Sequence, residues 1–343
     1  MNNDRFENAG VNLAIVGATG MVGRMFLKVL EERDFPIKAI TLFASKRTAG
    51  EVLKFRGNEY TVVELTPENI KKGGFDIALF SAGGSVSAEY APLFAETGAV
   101  VIDNSSCFRM DPDVPLIVPE VNPHAISQYE KKRIIANPNC STIQAMPVLA
   151  PLLHRYGIKR VVYSTYQAVS GAGKRGTDDL KNGLNGTAPQ KFQHPIAFNV
   201  LPHIDVFLDS GYTKEEQKMI DETRKILEVP DLPVTATTVR VPVYNAHSES
   251  VNVEFEREFE LDELRSILKD SPSVIIVDDP EKNEYPMPIF ADGHDEVFVG
   301  RIRRDMSVPS GVNLFIVADN LRKGAATNAV QIAELLVDYW KKG

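Results

Sequence analysis

The chain is poor in cysteine and in tryptophan, with two cysteines, Cys107 and Cys140, and one tryptophan in 343 residues. Two thiols make no disulfide framework, so a reducing, cytoplasmic setting is expected. Basic charge is not in excess either. The formal net charge of -8 argues against nucleic acid as a partner, because general affinity for it needs a basic face. No apolar run is long enough to cross a bilayer. The opening segment, "MNNDRFENAG", has neither the basic start nor the apolar stretch of a secretory signal. A soluble, unexported protein without membrane or metal is therefore expected. What is there is an ordinary globular composition, 43% hydrophobic and 24% charged, in a length that suggests about two domains.

The first part alternates short apolar runs with helical patterns. "NLAIVG", "KAITLFA", "YTVVEL", "FDIALFSAG" and "AVVIDNSS" read as strands, with helices over 21–33, 66–72 and 85–97 between them. Fully apolar strands separated by helices predict a parallel sheet covered on both faces. After about residue 140 the strand patterns become long and alternating, as in 235–244 and 249–261, with helical patterns near 174–185, 213–227 and 261–270. The fold class is α/β, an N-terminal Rossmann-like domain followed by an α+β domain. In the last segment Ala325, Ala329, Ile332, Leu336 and Trp340, with Ala333 and Val337, share one helical face. That helix is expected to return to the first domain, giving boundaries of 1–140 plus 321–343 and 141–320.

"LAIVGATGMVG" runs a strand into Gly17, Gly20 and Gly23 and then into an apolar helix. Such glycines let backbone approach a pyrophosphate seated on the helix N-terminus. After the second strand come Ser45, Lys46, Arg47 and Thr48, with no acid before Glu51. A positive charge there favours NADP, since NAD-specific folds place a carboxylate on the ribose hydroxyls. A plain structural turn and a solvated basic loop are the alternatives. "FSAGGSVS" (80–87), with Ser81, Gly83 and Gly84, and "SGAGKRG" (170–176) are further glycine-rich segments that either complete a cofactor site or merely turn the chain.

The segment "NPNCSTIQA" (137–145) places Cys140 where a proline-held bend meets the start of a helix. Cysteine most often packs as a small hydrophobe, yet a helix N-terminus is also where a thiolate forms readily. "TTVRVPVYNAHSESV" predicts two strands joined by a turn at 244–246, a hairpin with Arg240 on one arm and His247 past the bend. A histidine can exchange protons with a nucleophilic cysteine, and a guanidinium can grip a carboxylate. Pro147 and Pro151 predict that the helix after Cys140 is short or kinked.

Together "GATGMVG", "DNSSCFRMD", "NPNCSTIQ" and "RVPVYNAHSESV" resemble aspartate-semialdehyde dehydrogenases over nearly the whole chain. The resemblance implies reduction of L-4-aspartyl phosphate to aspartate semialdehyde and phosphate with NADP. In that family this serves synthesis of lysine (through diaminopimelate), threonine, methionine and isoleucine. It implies that Cys140 is the nucleophile, His247 the general acid/base and Gln167 the residue that orients substrate. Arg240 is implied to bind the substrate carboxylate, Arg109 and Lys218 the phosphate, and Glu216 the amino group, with Asn139 among the substrate contacts. Cofactor contacts are implied at Gly17, Thr19, Gly20, Met21, Val22, Arg47, Thr48, Ser81, Ser170, Gly171 and Asn320, and the second domain is implied to form a homodimer.

Aspartyl phosphate carries a phosphate, a carboxylate and an ammonium, so several local cations and one anion suit it even in an acidic chain. Cys107 lacks an adjacent histidine signal and reads as structural. Two rivals are an N-acetyl-glutamyl-phosphate reductase, whose cysteine sits in a Gly-Cys-Tyr-Pro-Thr-like setting, and a non-catalytic relative that keeps only the NADP fold. The Asn-Cys-Ser-Thr setting opposes the first, and the presence of both Cys140 and His247 opposes the second.

Overall fold

The computed structural model describes residues 10–342, so most of the N-terminal segment read for a signal lies outside the described residues. The backbone divides into two compact units, one of residues up to Pro138 together with 325–342, the other Asn139–Gly324. Among the described residues no helix is long and apolar enough to cross a membrane. Nor is any group of three or more His, Cys, Asp or Glu arranged among them to hold a metal.

The first unit is built on a parallel sheet. Its strands are β1 (Val11–Val16), β2 (Ile37–Ala44), β5 (Val63–Glu64), β6 (Ile77–Phe80), β7 (Val100–Asp103) and β8 (Ile134–Ala136), in the order β5-β2-β1-β6-β7-β8. The chain leaves β1 towards β2 on one side and continues to β6 on the other, so the strand order reverses beside β1. Open α/β sheets bind ligands at such a reversal, off the carboxyl ends of the strands. Leu13, Ile15, Ile77, Leu79, Val100 and Ile102 are fully buried in the sheet. Helix α1 (Met21–Glu32) covers it with Phe26, Val29 and Leu30. The C-terminal helix Asn328–Lys342 adds Ala329, Ile332, Ala333, Leu336 and Val337 to the same core, and its Trp340 Nε1 donates to Tyr129 (2.9 Å). At about 1.5–3 kcal/mol per buried large aliphatic side chain, that face is enough to hold the helix on this unit.

Two elements differ from their expected form. "YTVVEL" is not one strand: Asn58–Thr61 is β4 and pairs antiparallel with β3 (Val52–Phe55) in a separate hairpin, leaving only β5 to the main sheet. Val62, between them, gives its N–H to Glu51 and so continues the hairpin. The C-terminal helix is regular only from Asn328, after a π-helical turn at Arg322–Thr327.

The second unit is a mixed six-stranded sheet. The strands are β9 (Ile158–Gln167), β10 (Val234–Arg240), β11 (His247–Phe255), β12 (Val274–Ile276), β13 (Val297–Arg304) and β14 (Gly311–Ala318), in the order β10-β9-β11-β14-β13-β12. The expected hairpin between β10 and β11 does not form. Strand β9 lies between them, parallel to β10 and antiparallel to β11. The far edge of β10 is closed by paired backbone bonds between Arg240 and Leu201. Strand β11 ends at Phe255, short of the expected 261.

Helix α4 (Cys140–Tyr156) packs on β9, β11 and β14 and against α6 (Lys214–Ile226). It runs seventeen residues through both Pro147 and Pro151, so of the two expected outcomes, short or kinked, the short helix is contradicted. Each proline removes one backbone bond, but every residue from Ser141 to Ala150 is buried, as are Leu152 and Tyr156. Tertiary packing therefore sustains a helix that propensity opposes.

Candidate active site

Register gathers the residues of the second unit at one end of the sheet. Gln167 and Arg240 are partners at the carboxyl ends of β9 and β10. Ser248 pairs with Tyr166, so His247, one residue earlier on antiparallel β11, starts opposite Gln167. On its other side His247 pairs with Ala318, the last residue of β14, two residues before Asn320.

Cys140 opens helix α4 and is partly exposed. Asn139 is the N-cap, its Oδ1 accepting from Ser141 N (3.0 Å) and Thr142 N (3.3 Å). The amides at this helix end and its dipole favour negative charge on Sγ. The Arg240 guanidinium lies close enough to interact with the Cys140 charge. It is buried, donates from Nη1 to Ala168 O (2.7 Å) and lies over the Phe192 ring. Burial pushes Arg240 below its ordinary range, against the pull of Glu215 and Cys140. Gly324 packs beside the cysteine, where an added Cβ would come within 3.0 Å of Cys140 Cβ.

His247 is fully buried, and its Nδ1 accepts the backbone N–H of Ala168 at 3.0 Å. A backbone amide can only donate, so Nδ1 carries no proton and the neutral ring carries its hydrogen on Nε2. Burial, then the charge of Arg240, holds the imidazole well below its ordinary 6.5, and the ring stays neutral. Nε2 is buried without a hydrogen-bond partner among the described residues. It faces the space over Gly171, where an added Cβ would lie 3.2 Å from His247 Nε2 and 2.8 Å from Arg240 Nη1. Gly171→Ala is accordingly expected to lower kcat/KM by at least about tenfold, since a misplacement of about 1 Å can cost 10²-fold. Steady-state kinetics on variant protein with an unchanged melting temperature checks this.

Ser170 and Asn320, read as cofactor contacts, bond to each other at 2.9 and 3.2 Å. Asn320 Oδ1 also accepts Ala246 N–H (3.0 Å). Ala246 is buried with φ +66°, a left-handed conformation that costs a non-glycine residue energy unless its surroundings enforce it. The pair thus braces the turn that presents His247.

Glu216 is not where it was expected. Thr213 Oγ1 accepts Glu216 N–H while Glu216 Oε2 accepts Thr213 N–H, a capping box, and Glu216 Oε1 accepts Thr238 N–H (3.0 Å). Both carboxylate oxygens are occupied by backbone. Its neighbour Glu215 faces the site, with Oε1 accepting from Asn139 Nδ2 (2.8 Å) and Gln167 Nε2 (3.4 Å) and Oε2 paired with Lys218 Nζ (3.1 Å). Burial would raise the Glu215 carboxyl, but Lys218, Asn139 and Arg240 outweigh it and hold it below its usual range. Burial would likewise lower Lys218, which Glu215 and Asp205 (2.7 Å) raise instead. The Thr-x-x-Glu spacing at 213–216 was the signal that could have assigned Glu216 to the cap. Nothing local marked Asp205, Glu222, Glu249 or Gly324. Glu249 lies two residues past His247 on the same face of β11, fully buried, with neither oxygen hydrogen-bonded. Burial pushes its carboxyl well above the usual range, with the Ser141 hydroxyl near enough to temper this without closing a bond.

In the first unit the glycine turn sits at the strand-order reversal. Gly17 has φ +85°, and a Cβ there would lie 2.9 Å from the Ser81 backbone; one on Gly23 would fall 2.2 Å from Gly17 O. These cradles admit only glycine. Gly20 is the N-cap of α1 without a side-chain cap, which leaves Met21 and Val22 at a helix start suited to a pyrophosphate. Thr19 and Thr48 hydroxyls meet at 3.1 Å, tying this turn to the loop that exposes Arg47. Glu51, the nearest acid after β2, is paired with Arg24 (3.4 Å). The residues of this turn therefore fit the pyrophosphate of a dinucleotide. Arg109, also in this unit, is buried and donates to the carbonyls of Asn137 (2.9 Å) and Asn104 (2.7 Å).

Fold and site together define a two-domain semialdehyde dehydrogenase. Residues 12–129 match the family model "Semialdehyde dehydrogenase, NAD binding domain", and residues 149–323 match "Semialdehyde dehydrogenase, dimerisation domain". The chain is 61% identical over 335 residues to the aspartate-semialdehyde dehydrogenase of Aquifex aeolicus, covering 96% of this chain and 98% of the relative. It is 51% identical over 338 residues to that of Campylobacter jejuni, again covering 96% and 98%. Among solved structures it is similar to aspartate semialdehyde dehydrogenase II from Vibrio cholerae complexed with ASA, at a TM-score of 0.92 and 48% identity over 96% of this chain and 98% of that one. It is also similar to the Candida albicans enzyme with NADP, at 0.76 and 26% over 97% and 99%. The chain belongs to the aspartate-semialdehyde dehydrogenase family.

Proposed function

We propose that the protein reduces L-4-aspartyl phosphate to L-aspartate 4-semialdehyde with NADPH, through a thioester on Cys140. This places it in the synthesis of lysine (through diaminopimelate), threonine, methionine and isoleucine. The observation that carries the reading is the seat of Cys140, first residue of an Asn139-capped helix, with the Arg240 charge acting on it.

Cys140 Sγ attacks as thiolate. The new C–S bond forms as the C–O bond to phosphate breaks, and the departing phosphate takes up the proton of the overall reaction. Bound NADPH supplies the hydride that brings the acyl group to the aldehyde level, after which Cys140 leaves as thiolate again. Neither half needs a proton on the carbonyl oxygen. His247, neutral and with Nε2–H free to donate, stabilises the charge that develops there; this role differs from the general acid/base that the resemblance implied. Arg240 binds the substrate carboxylate, Glu215 rather than Glu216 the ammonium, and Gln167 fixes orientation. Lys218 and Arg109 are contacts for phosphate. NADP is preferred because Arg47 is exposed and Glu51 is engaged by Arg24. The second unit carries the matched dimerisation domain, which supports a homodimer.

The test is NADPH formation from aspartate semialdehyde, with NADP or NAD and with or without phosphate. We expect kcat/KM at least about tenfold higher with NADP, a difference of about 1.4 kcal/mol. Without phosphate, product should stop near one equivalent per site. Sustained turnover without phosphate would instead indicate a hydrolytic aldehyde dehydrogenase.

A further inference from the structure

The Cys140 turn is tied to helix α6 at two points, both through Asn139. Glu215 and Glu222 lie seven residues apart on α6, hence two turns apart on one face. Glu215 Oε1 accepts the Asn139 side-chain amide at 2.8 Å, and Glu222 Oε2 accepts the Asn139 backbone N–H at 2.6 Å. Glu222 is 1% exposed. Next to it, Thr223 Oγ1 and Tyr163 OH meet at 3.1 Å and anchor α6 to β9. The Glu222 carboxylate therefore stands on a braced element.

We infer that Glu222 is a positioning residue for Cys140, acting through the Asn139 backbone. This rests on the reading of Cys140 as nucleophile. Asn139 holds φ -60° and ψ 145°, turning the chain from extended into helical at the peptide that carries Cys140. The Glu222 carboxyl oxygen is the acceptor that fixes the peptide immediately before the one that carries Cys140. Without it a buried N–H loses its acceptor, and the turn is free to rotate Sγ away from attack. Glu222 itself holds no substrate group in the proposed site, and the Asn139 side chain keeps its bond to Glu215, so KM should change less than kcat.

The test compares Glu222→Ala, Glu222→Asp and Glu222→Gln with wild type, scaled to titrated Cys140 thiol. It reads kcat, KM for aspartate semialdehyde and phosphate, and the rate of Cys140 alkylation by iodoacetamide at fixed pH. Aspartate keeps the charge but retracts the acceptor, whereas glutamine keeps an acceptor at the same reach. The Ala and Asp variants are expected to lose at least about tenfold in kcat, with each KM within about threefold and alkylation altered at least about threefold. Glutamine should recover kcat to within about threefold of wild type. Wild-type kcat and alkylation in the Asp variant, or a Gln variant as impaired as Ala, overturns the inference. If Ala does not fold, the Asp and Gln pair decides alone. A Cys140→Ala control that stays active removes the underlying reading instead.

Discussion

Replacing Cys140 with alanine is expected to lower phosphate-dependent turnover by about 10⁴-fold or more, equivalent to over 5 kcal/mol of barrier. Losses of this size follow removal of a nucleophile, because the remaining groups cannot divide the reaction into two easier steps. The environment explains why this side chain and not Cys107 carries the effect. Cys140 has the amides of a capped helix start and the nearby charge of Arg240. Cys107 is exposed, and the partial desolvation of its sulfur, then the charge of Asp103, pushes its thiol up, away from the thiolate. Cys107→Ala is therefore the matched control, and the alanine at 140 should fold, since Cys140 opens the helix and is partly exposed.

The second large effect is at His247, where alanine is expected to lower kcat by roughly 10²–10³-fold, the usual cost of losing one donor to a developing oxyanion. The fixed tautomer separates this role from proton transfer. A donor role predicts that His247→Gln, which keeps an N–H and no basicity, recovers at least about tenfold over His247→Ala. A proton shuttle predicts that Gln is as poor as Ala. The pH dependence separates them again. His247 is held well below its ordinary 6.5, so the wild-type profile should show no limb near that value from this residue. The folded imidazole also binds a proton less readily than the unfolded one. Its contribution to stability is thus complete above about 6.5 and is lost as pH falls towards its lower folded value. Kinetic pH profiles of the three proteins, with thermal melts alongside, check both parts.

The first unit was legible because its strands are buried on both faces and read as unbroken apolar runs such as "FDIALF". The exception was 60–65, where one apolar run is shared between the β3–β4 hairpin and the main sheet. In the second unit the hairpin expectation failed for a non-local reason. β10 and β11 are neighbours in sequence, but a strand from about seventy residues earlier enters between them, and local pattern carries no information about that insertion.

At the site, Cys140, Gln167, Arg240 and His247 stand at the ends of elements, where local pattern and resemblance both reach, and the sheet brings the last three to one edge. Glu215 and Glu216 are adjacent and chemically identical, and beyond the Thr-x-x-Glu spacing at 213–216 it is the capping geometry that tells which carboxylate faces Asn139. Glu222 was invisible because its partner lies 83 residues away. Pro147 and Pro151 pointed against a long helix through propensity, and burial of its first three turns from Ser141 to Ala150 overrode them.

The central claim is that the reaction divides at a thioester on Cys140. Enzyme mixed with aspartate semialdehyde and NADP without phosphate, then quenched in acid and digested, should carry a hydroxylamine-sensitive aspartyl adduct on the peptide containing "NPNCSTIQA". That adduct should disappear when phosphate is added before the quench. Turnover at the normal rate with no adduct on Cys140, or with the adduct on another residue, would contradict the account.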